Sequence, residues 1–197
     1  MSSVEFRDKL VQEFSPYGVL EEGQLDALER HFDLLTFWNK TLNLTRITAL
    51  EDIVRLHYAE SLFLAKWLPA GKLCVADIGS GGGFPGVPVA IFRPECTITL
   101  VESHQRKSVF LRQSVRGLRN VVIQAVRAEV LEGQFDWIVA RAVDPREVAR
   151  LTQAPRKALL VGEADGRSLG FGWEIEKVPW GEGRVVAFHV EQSESAK

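Results

Sequence analysis

The sequence predicts an α/β fold built on a parallel sheet, and three observations carry that expectation. From residue 73 onward, short apolar runs alternate with helical segments, the pattern of strands joined by right-handed crossovers. The first of these runs, 73–78, is followed by four glycines in five residues and then by an apolar segment beginning Phe84-Pro85. Strand, glycine turn and helix thus follow one another. Ahead of this unit, residues 1–70 carry helical periodicity and read as a small helical extension.

The elements follow in chain order. Residues 3–15 and 24–42 are expected to be helical; in the second, Leu25, Leu28, Phe32, Leu35 and Leu42 form one apolar stripe. Residues 38–45 then alternate polar with aromatic or apolar side chains too regularly for an ordinary loop. Thr48 and Glu51 have capping-box spacing, so a third helix is expected over 49–67. Pro69-Ala70-Gly71 ends it and marks the boundary between the extension, 1–70, and the sheet domain, 71–191. Strands are expected near 73–78, 97–101, 121–125 and 135–140 with helices between them. The helix over 104–117 puts Arg112 and Arg116 on one face, with Arg119 just past its end. A fifth strand at 158–161 precedes 162–172, a stretch too short and glycine-rich for the crossover helix. Runs at 173–178 and 184–190 flank Gly181-Glu182-Gly183 and form a closing hairpin, and 192–197 is expected to be a disordered polar tail.

The glycine turn narrows the choice of ligand. Gly79, Gly81, Gly82 and Gly83 have no Cβ, so the chain can turn sharply and a ligand can lie against the main chain. In doubly wound sheets such ligands sit outside the carboxyl ends of the strands. A dinucleotide fingerprint requires glycine where Phe84 stands, and a phosphate-binding loop requires a lysine that does not follow here. Asp77 adds negative charge at the strand end, which disfavours a pyrophosphate and favours a cation or ammonium group. Glu102, ending the run 98–101, is placed to accept hydrogen bonds from ribose hydroxyls. S-adenosylmethionine combines these groups and is the expected cofactor.

With 197 residues, 46% of them hydrophobic and 25% charged, the chain suits one domain plus an appendage. No apolar run approaches the ~20 residues of a membrane span, and Met-Ser-Ser-Val-Glu-Phe-Arg lacks a signal-peptide pattern, so a cytoplasmic protein off the membrane is expected. Cys74 and Cys96 form no C-x-x-C and read as reduced structural thiols; His31, His104 and His189 have no ligand spacing, so no metal is expected. The net charge of -2 conceals an asymmetry: seven Lys/Arg against eleven Asp/Glu over 1–70, but eleven against five over 104–157. Such a basic middle region points to an anionic partner docking on one face.

Further motifs are Trp38-Asn39-Lys40 with Asn43-Leu44-Thr45, His57 with Ser61, the loop from Asp77 to Gly86, Arg93-Pro94-Glu95, Phe110-Leu111-Arg112-Gln113, Ala128-Glu129 and Ala140-Arg141-Ala142. Through them the chain resembles the RsmG (GidB) family of bacterial ribosomal RNA methyltransferases, over roughly 25–160 and the final hairpin. The resemblance implies a class I, Rossmann-like S-adenosylmethionine-dependent methyltransferase sheet. It also implies methyl transfer to N7 of a guanine in 16S ribosomal RNA, free or in a precursor of the small ribosomal subunit. Asp77, Gly79, Gly81, Phe84 and Glu102 would then line the cofactor site, Ala128 and Glu129 would sit at the adenine, and Arg141 would close the pocket. Lys40, Asn43, His57, Arg112, Arg116 and Arg119 are the candidate RNA contacts, and a monomer is expected. Glu60 stands where the family usually has aspartate, and Val161-Gly162 where it has lysine-glycine.

Guanine N7 presents an unprotonated lone pair in the ring plane, so no catalytic base is expected and positioning is left to do the work. Ala140-Arg141-Ala142-Val143 lacks the Asn/Asp-Pro-Pro-Tyr/Phe segment that holds an exocyclic amine, and neither cysteine is placed as a nucleophile. The competing readings are a methyltransferase for a protein or small molecule, and a non-catalytic RNA-binding assembly protein on the same fold. The basic middle region weighs against the first; intact Asp77, Gly79, Gly81 and Glu102 weigh against the second.

Overall fold

The computed structural model describes residues 3–190, so residue 191 and the tail expected at 192–197 lie outside the described residues. The strands are β1 (Cys74–Ile78), β2 (Thr97–Val101), β3 (Val121–Gln124), β4 (Trp137–Arg141), β5 (Arg156–Gly162), β6 (Trp173–Lys177) and β7 (Arg184–Val190). They form one sheet in the order β3-β2-β1-β4-β5-β7-β6. The first five in sequence are parallel, while β7 runs antiparallel to β5 and pairs with β6 as the closing hairpin. The direction of winding reverses between β1 and β4, which opens a crevice at their carboxyl ends.

Covering both faces of a parallel sheet requires its central strands to be apolar throughout, and Val75, Ala76, Ile98, Leu100, Ile138 and Val139 are accordingly buried. One face, with Val75, Ile98, Leu100, Val139 and Leu160, shares a core with α1 (Ser3–Phe14), α2 (Glu22–Leu42), α5 (Gly86–Phe92) and α6 (Gln105–Ser114). A continuous helical stretch joins them there: α3 (Leu50–Ile53), a π-helical segment (Val54–Ala59) and α4 (Glu60–Trp67). The whole apolar stripe of α2, from Leu25 to Leu42, is buried. The opposite face, with Ala76, Ile78, Ile138, Ala140 and Leu159, is covered by Val148 of α7 (Pro145–Ala149) and by the segment around Leu131; α8 (Glu163–Ser168) packs on β5, β6 and β7. The β6–β7 loop returns to the helical layer, where Trp180 Nε1 donates to Glu13 Oε2 at 2.8 Å.

Three local expectations are corrected. Thr48 does not cap the third helix: Ala49 is the N-cap without a side-chain bond, and Glu51 pairs with Lys9 of α1 at 3.0 Å. The helix expected over 104–117 ends at Ser114, because the chain turns through Gly117 at φ +92°. Arg116 therefore lies in a turn and shares no helical face with Arg112. The third concerns 162–172, where α8 does form; Gly166 allows it close to the sheet, since a Cβ there would lie 3.1 Å from Val185 Cγ2.

Candidate active site

A groove lies at the carboxyl ends of β1 and β2, built from two adjoining cavities of about 330 and 450 Å³ that share Ile78, Ala128, Glu129 and Val143. Its floor is the glycine turn. Gly79 and Ser80 donate their N–H groups to Val101 O at 2.9 and 3.0 Å, stitching the turn to β2. Glu102 completes the stitching: Oε2 accepts from Gly81 N at 2.9 Å and Oε1 from His104 N at 2.7 Å. Gly79 and Gly81 have φ of +69° and +51°, a left-handed backbone that favours glycine. A Cβ on Gly79 would lie 2.6 Å from Val143 Cγ2, whereas at Gly81 the nearest atom is 3.6 Å away and the space stays open. Ala142, at φ +57°, holds a left-handed conformation between Arg141 and Val143, at a cost of about 1 to 2 kcal/mol.

Behind the turn lies a buried polar frame. Asp77 is fully buried and its Oδ2 accepts from Gly86 N at 3.0 Å, which anchors the start of α5. Burial pushes its carboxyl up to about 7, against the opposing Ser80 and Gly86 bonds. Partial protonation near neutrality lowers the cost of leaving Oδ1 without a hydrogen-bond partner among the described residues. Phe84 stacks on His57 with ring centres 4.7 Å apart, meets His31 and Tyr58 edge-on, and carries the Arg141 guanidinium 5.0 Å above its ring.

Arg141 Nη1 donates to Leu56 O and to His57 Nδ1, each at 2.6 Å. A guanidinium has only donors, so Nδ1 keeps its lone pair and Nε2 carries the proton toward Thr45 Oγ1, 2.7 Å away. His57 is therefore neutral; burial first, and then the charge of Arg141, push it down to about 2. Asn39 clamps the Thr45 backbone, donating from Nδ2 to Thr45 O at 3.0 Å and accepting from Thr45 N at 2.9 Å. The chain Asn39–Thr45–His57–Arg141 thus runs from α2 to the end of β4. Beside it, fully buried Glu60 accepts two bonds from Arg184, at 2.6 and 2.7 Å, joining α4 to β7. Burial raises the Glu60 carboxyl and the Arg184 contact opposes that shift.

Against known proteins, the family model for rRNA small subunit methyltransferase G (GidB) matches residues 24–162. The chain belongs to this family. A Halorhodospira halophila protein named Ribosomal RNA small subunit methyltransferase G is 40% identical over 129 residues, covering 64% of this chain and 61% of that protein. One of the same name from Chromobacterium violaceum is 42% identical over 139 residues, covering 68% and 66%. The chain thus spans less than two thirds of the length of these GidB relatives. Its fold is similar to that of a SAM dependent methyltransferase from Aquifex aeolicus, with a TM-score of 0.53, 14% identity, and coverage of 71% of this chain and 93% of that one. The sheet is that of a class I methyltransferase.

In this GidB-family chain, Gly79, Glu102, Ala128 and Glu129 come together along the groove, with Gly81 bonded to Glu102 in its floor. Asp77, Phe84 and Arg141, also assigned to the cofactor from sequence, lie on the other side of the turn. Strand alternation explains two of them: Ile78 and Ala140 face the groove side of the sheet, so Asp77 and Arg141 face the helical layer. Phe84 belongs to the aromatic core at the start of α5. Lys40, Asn43, Arg112, Arg116 and Arg119 are exposed and available to a partner. His57 is 3% exposed and offers RNA no surface in this arrangement, so the direct contact expected of it is replaced by its bond to Arg141. The sequence reading missed the Asn39 clamp, the Glu60–Arg184 pair and Val143. Asn39 lies inside the 38–45 motif and Val143 directly follows Ala140-Arg141-Ala142, so both were within local reach; nothing local signals a pair 124 residues apart.

Proposed function

We propose that the protein transfers a methyl group from S-adenosylmethionine to N7 of a guanine in 16S ribosomal RNA, acting as a cytoplasmic monomer on the RNA or on a precursor of the small subunit. The observation that carries this reading is the stitched glycine turn with Glu102 on the groove of a GidB-family chain. The names of the relatives point to the same RNA, and no helix among the described residues is long and apolar enough to cross a membrane.

The residues present fit the cofactor. A carboxylate offers about four acceptor sites, and Glu102 uses two on backbone N–H groups, leaving others for ribose hydroxyls. Ile78, Val101, Val126, Ala128 and Val143 provide apolar walls for an adenine, and the open space at Gly81 admits a ligand against the main chain. When bound, the cofactor supplies an electrophilic methyl group on a sulfonium. The chain's part is to orient and to exclude water, and orientation alone contributes up to about 7 to 11 kcal/mol of barrier reduction. No proton has to be moved, in keeping with a neutral, enclosed His57 and an Arg141 that stays charged at neutral pH although burial lowers it to about 10.

The test is incorporation of labelled methyl into 16S ribosomal RNA and into small subunits, followed by nuclease digestion and mass spectrometry. 7-Methylguanosine at one position is expected. Label found only in protein or small-molecule fractions, or in another modified nucleoside, would refute the assignment.

A further inference from the structure

A second groove, of about 390 Å³, opens at the carboxyl end of α2. Leu35, Ile47 and Ile53 make its apolar part, while Lys40, Asn43 and Thr45 are among its polar residues. Neither Lys40 nor the neighbouring Arg46, both exposed, forms an ion pair among the described residues. At the other end of α2 the balance is the reverse, with three carboxylates, Glu22, Asp26 and Glu29, converging on the single Arg7. Within an extension that is acidic overall, this end is left with uncompensated positive charge beside an apolar hollow.

We propose that this groove holds one nucleotide of the RNA strand adjacent to the methylated guanine, its base on half-buried Ile47, its polar edge at Asn43 and its phosphate at Lys40. This rests on the RNA methylation proposed above and adds where the strand runs beside the target.

Continuity with the active site is the strongest argument. Thr45 lines the groove and is hydrogen-bonded to His57 Nε2, while Arg141, at the end of β4, is hydrogen-bonded to Nδ1 of the same ring. The groove and the end of β4, two residues before Val143 of the cofactor groove, therefore lie on either side of one imidazole. The wall is also pre-formed: Asn39 fixes the Thr45 backbone, and Ile47 N donates to Thr45 Oγ1 at 3.0 Å. A rigid wall reduces the ordering cost of binding. An apolar surface with an amide at its rim suits a base splayed out of a single strand, which is how proteins mostly read RNA sequence, whereas a duplex keeps its base faces stacked and out of reach. Asn43 is well placed for such a contact. It holds φ +48° as the C-cap of α2, and no hydrogen bond occupies its amide among the described residues.

The experiment uses Asn43→Gly and Lys40→Ala, with 16S ribosomal RNA transcripts as the probe. Glycine keeps the left-handed backbone while removing the amide. Asn43→Gly should raise the Kd and KM for RNA about two- to tenfold, the range for one hydrogen bond, with kcat and S-adenosylmethionine affinity unchanged. Lys40→Ala should lower the slope of log affinity against log salt by about 0.7. The decisive arm uses transcripts made abasic immediately 5′ or 3′ of the methylated guanine. One of them should weaken wild-type binding, and weaken Asn43→Gly by less, because that variant has already lost the amide contact and keeps only the apolar one. Equal losses in both proteins from either abasic position, or variants that bind RNA as the wild type does, would overturn the groove assignment alone. Loss of activity on assembled subunits with none on naked RNA would also overturn it, by pointing to a protein partner. A wild-type protein that neither binds nor methylates the RNA would remove the proposed function, and this inference with it.

Discussion

Replacing His57 by glutamine should change the pH dependence of folding stability by an amount that the buried frame fixes. The folded-state pKa of His57 is depressed from 6.5 to about 2, and that of His31, buried behind the glycine turn, to about 4. A depressed pKa contributes stability that is present above the unfolded value and lost as pH falls toward the folded one. Between pH 6 and 5, each histidine therefore removes about 1.4 kcal/mol per pH unit on acidification. Asp77 acts in the opposite sense: raised from 3.8 to about 7, it contributes stability that is present below 3.8 and lost as pH rises through 7, so acidification over this window returns about 1.4 kcal/mol per unit. From these three groups together the wild type should lose roughly one histidine's share between pH 6 and 5. Glutamine can still accept from Arg141 and donate to Thr45, so His57→Gln should keep the frame and lose almost nothing from these groups over the same interval. Urea unfolding at four pH values measures both slopes. Parallel curves for the two proteins would show that His57 is not held neutral by burial and Arg141, and would refute the geometry on which the frame rests.

Three other outcomes follow from the same contacts. Glu102→Ala releases Gly81 N and the ribose acceptors together, and calorimetry should find S-adenosylmethionine binding weakened by about 1 to 3 kcal/mol; unchanged affinity would remove Glu102 from the site. Arg184→Met strands the fully buried Glu60 carboxylate, with a stability loss of about 3 to 5 kcal/mol by denaturant unfolding, and a loss below 1 kcal/mol would mean that the carboxylate finds water. Single-turnover methylation with RNA already bound should be nearly flat from about pH 6 to 8, because no base is needed; a slope of one that disappears in His57→Gln would reveal a base and count against guanine N7.

The sheet was legible because strands buried on both faces appear in the sequence as continuous apolar runs, and the run at 97–101 coincides with β2. Helix ends were less legible. Val115 is buried and extends the apolar pattern of α6 past Ser114, although the backbone has already left the helix. At Thr48 the local capping signal lost to a tertiary one, since Lys9 of α1 takes the Glu51 carboxylate. The glycine turn could be read because its preference is local: φ +69° and +51° favour glycine by about 1 to 2 kcal/mol over a residue with a Cβ. The direction of Asp77, Phe84 and Arg141 could not, because the side of a sheet that carries the groove is chosen by what covers the other side. Here the helical layer covers it, and the three residues become a frame that supports the turn from behind. Asp77 anchors α5, Phe84 fills the space beside His57, and Arg141 joins β4 to the π-helical segment. Residues in the frame therefore act on the groove by setting its shape, and their replacement should weaken cofactor and RNA binding together. Glu102, which lines the groove itself, should affect the cofactor alone. Measuring both affinities in Phe84→Leu and Glu102→Ala separates the two kinds of residue; a Phe84 variant that changed only cofactor affinity would place that ring on the groove wall after all.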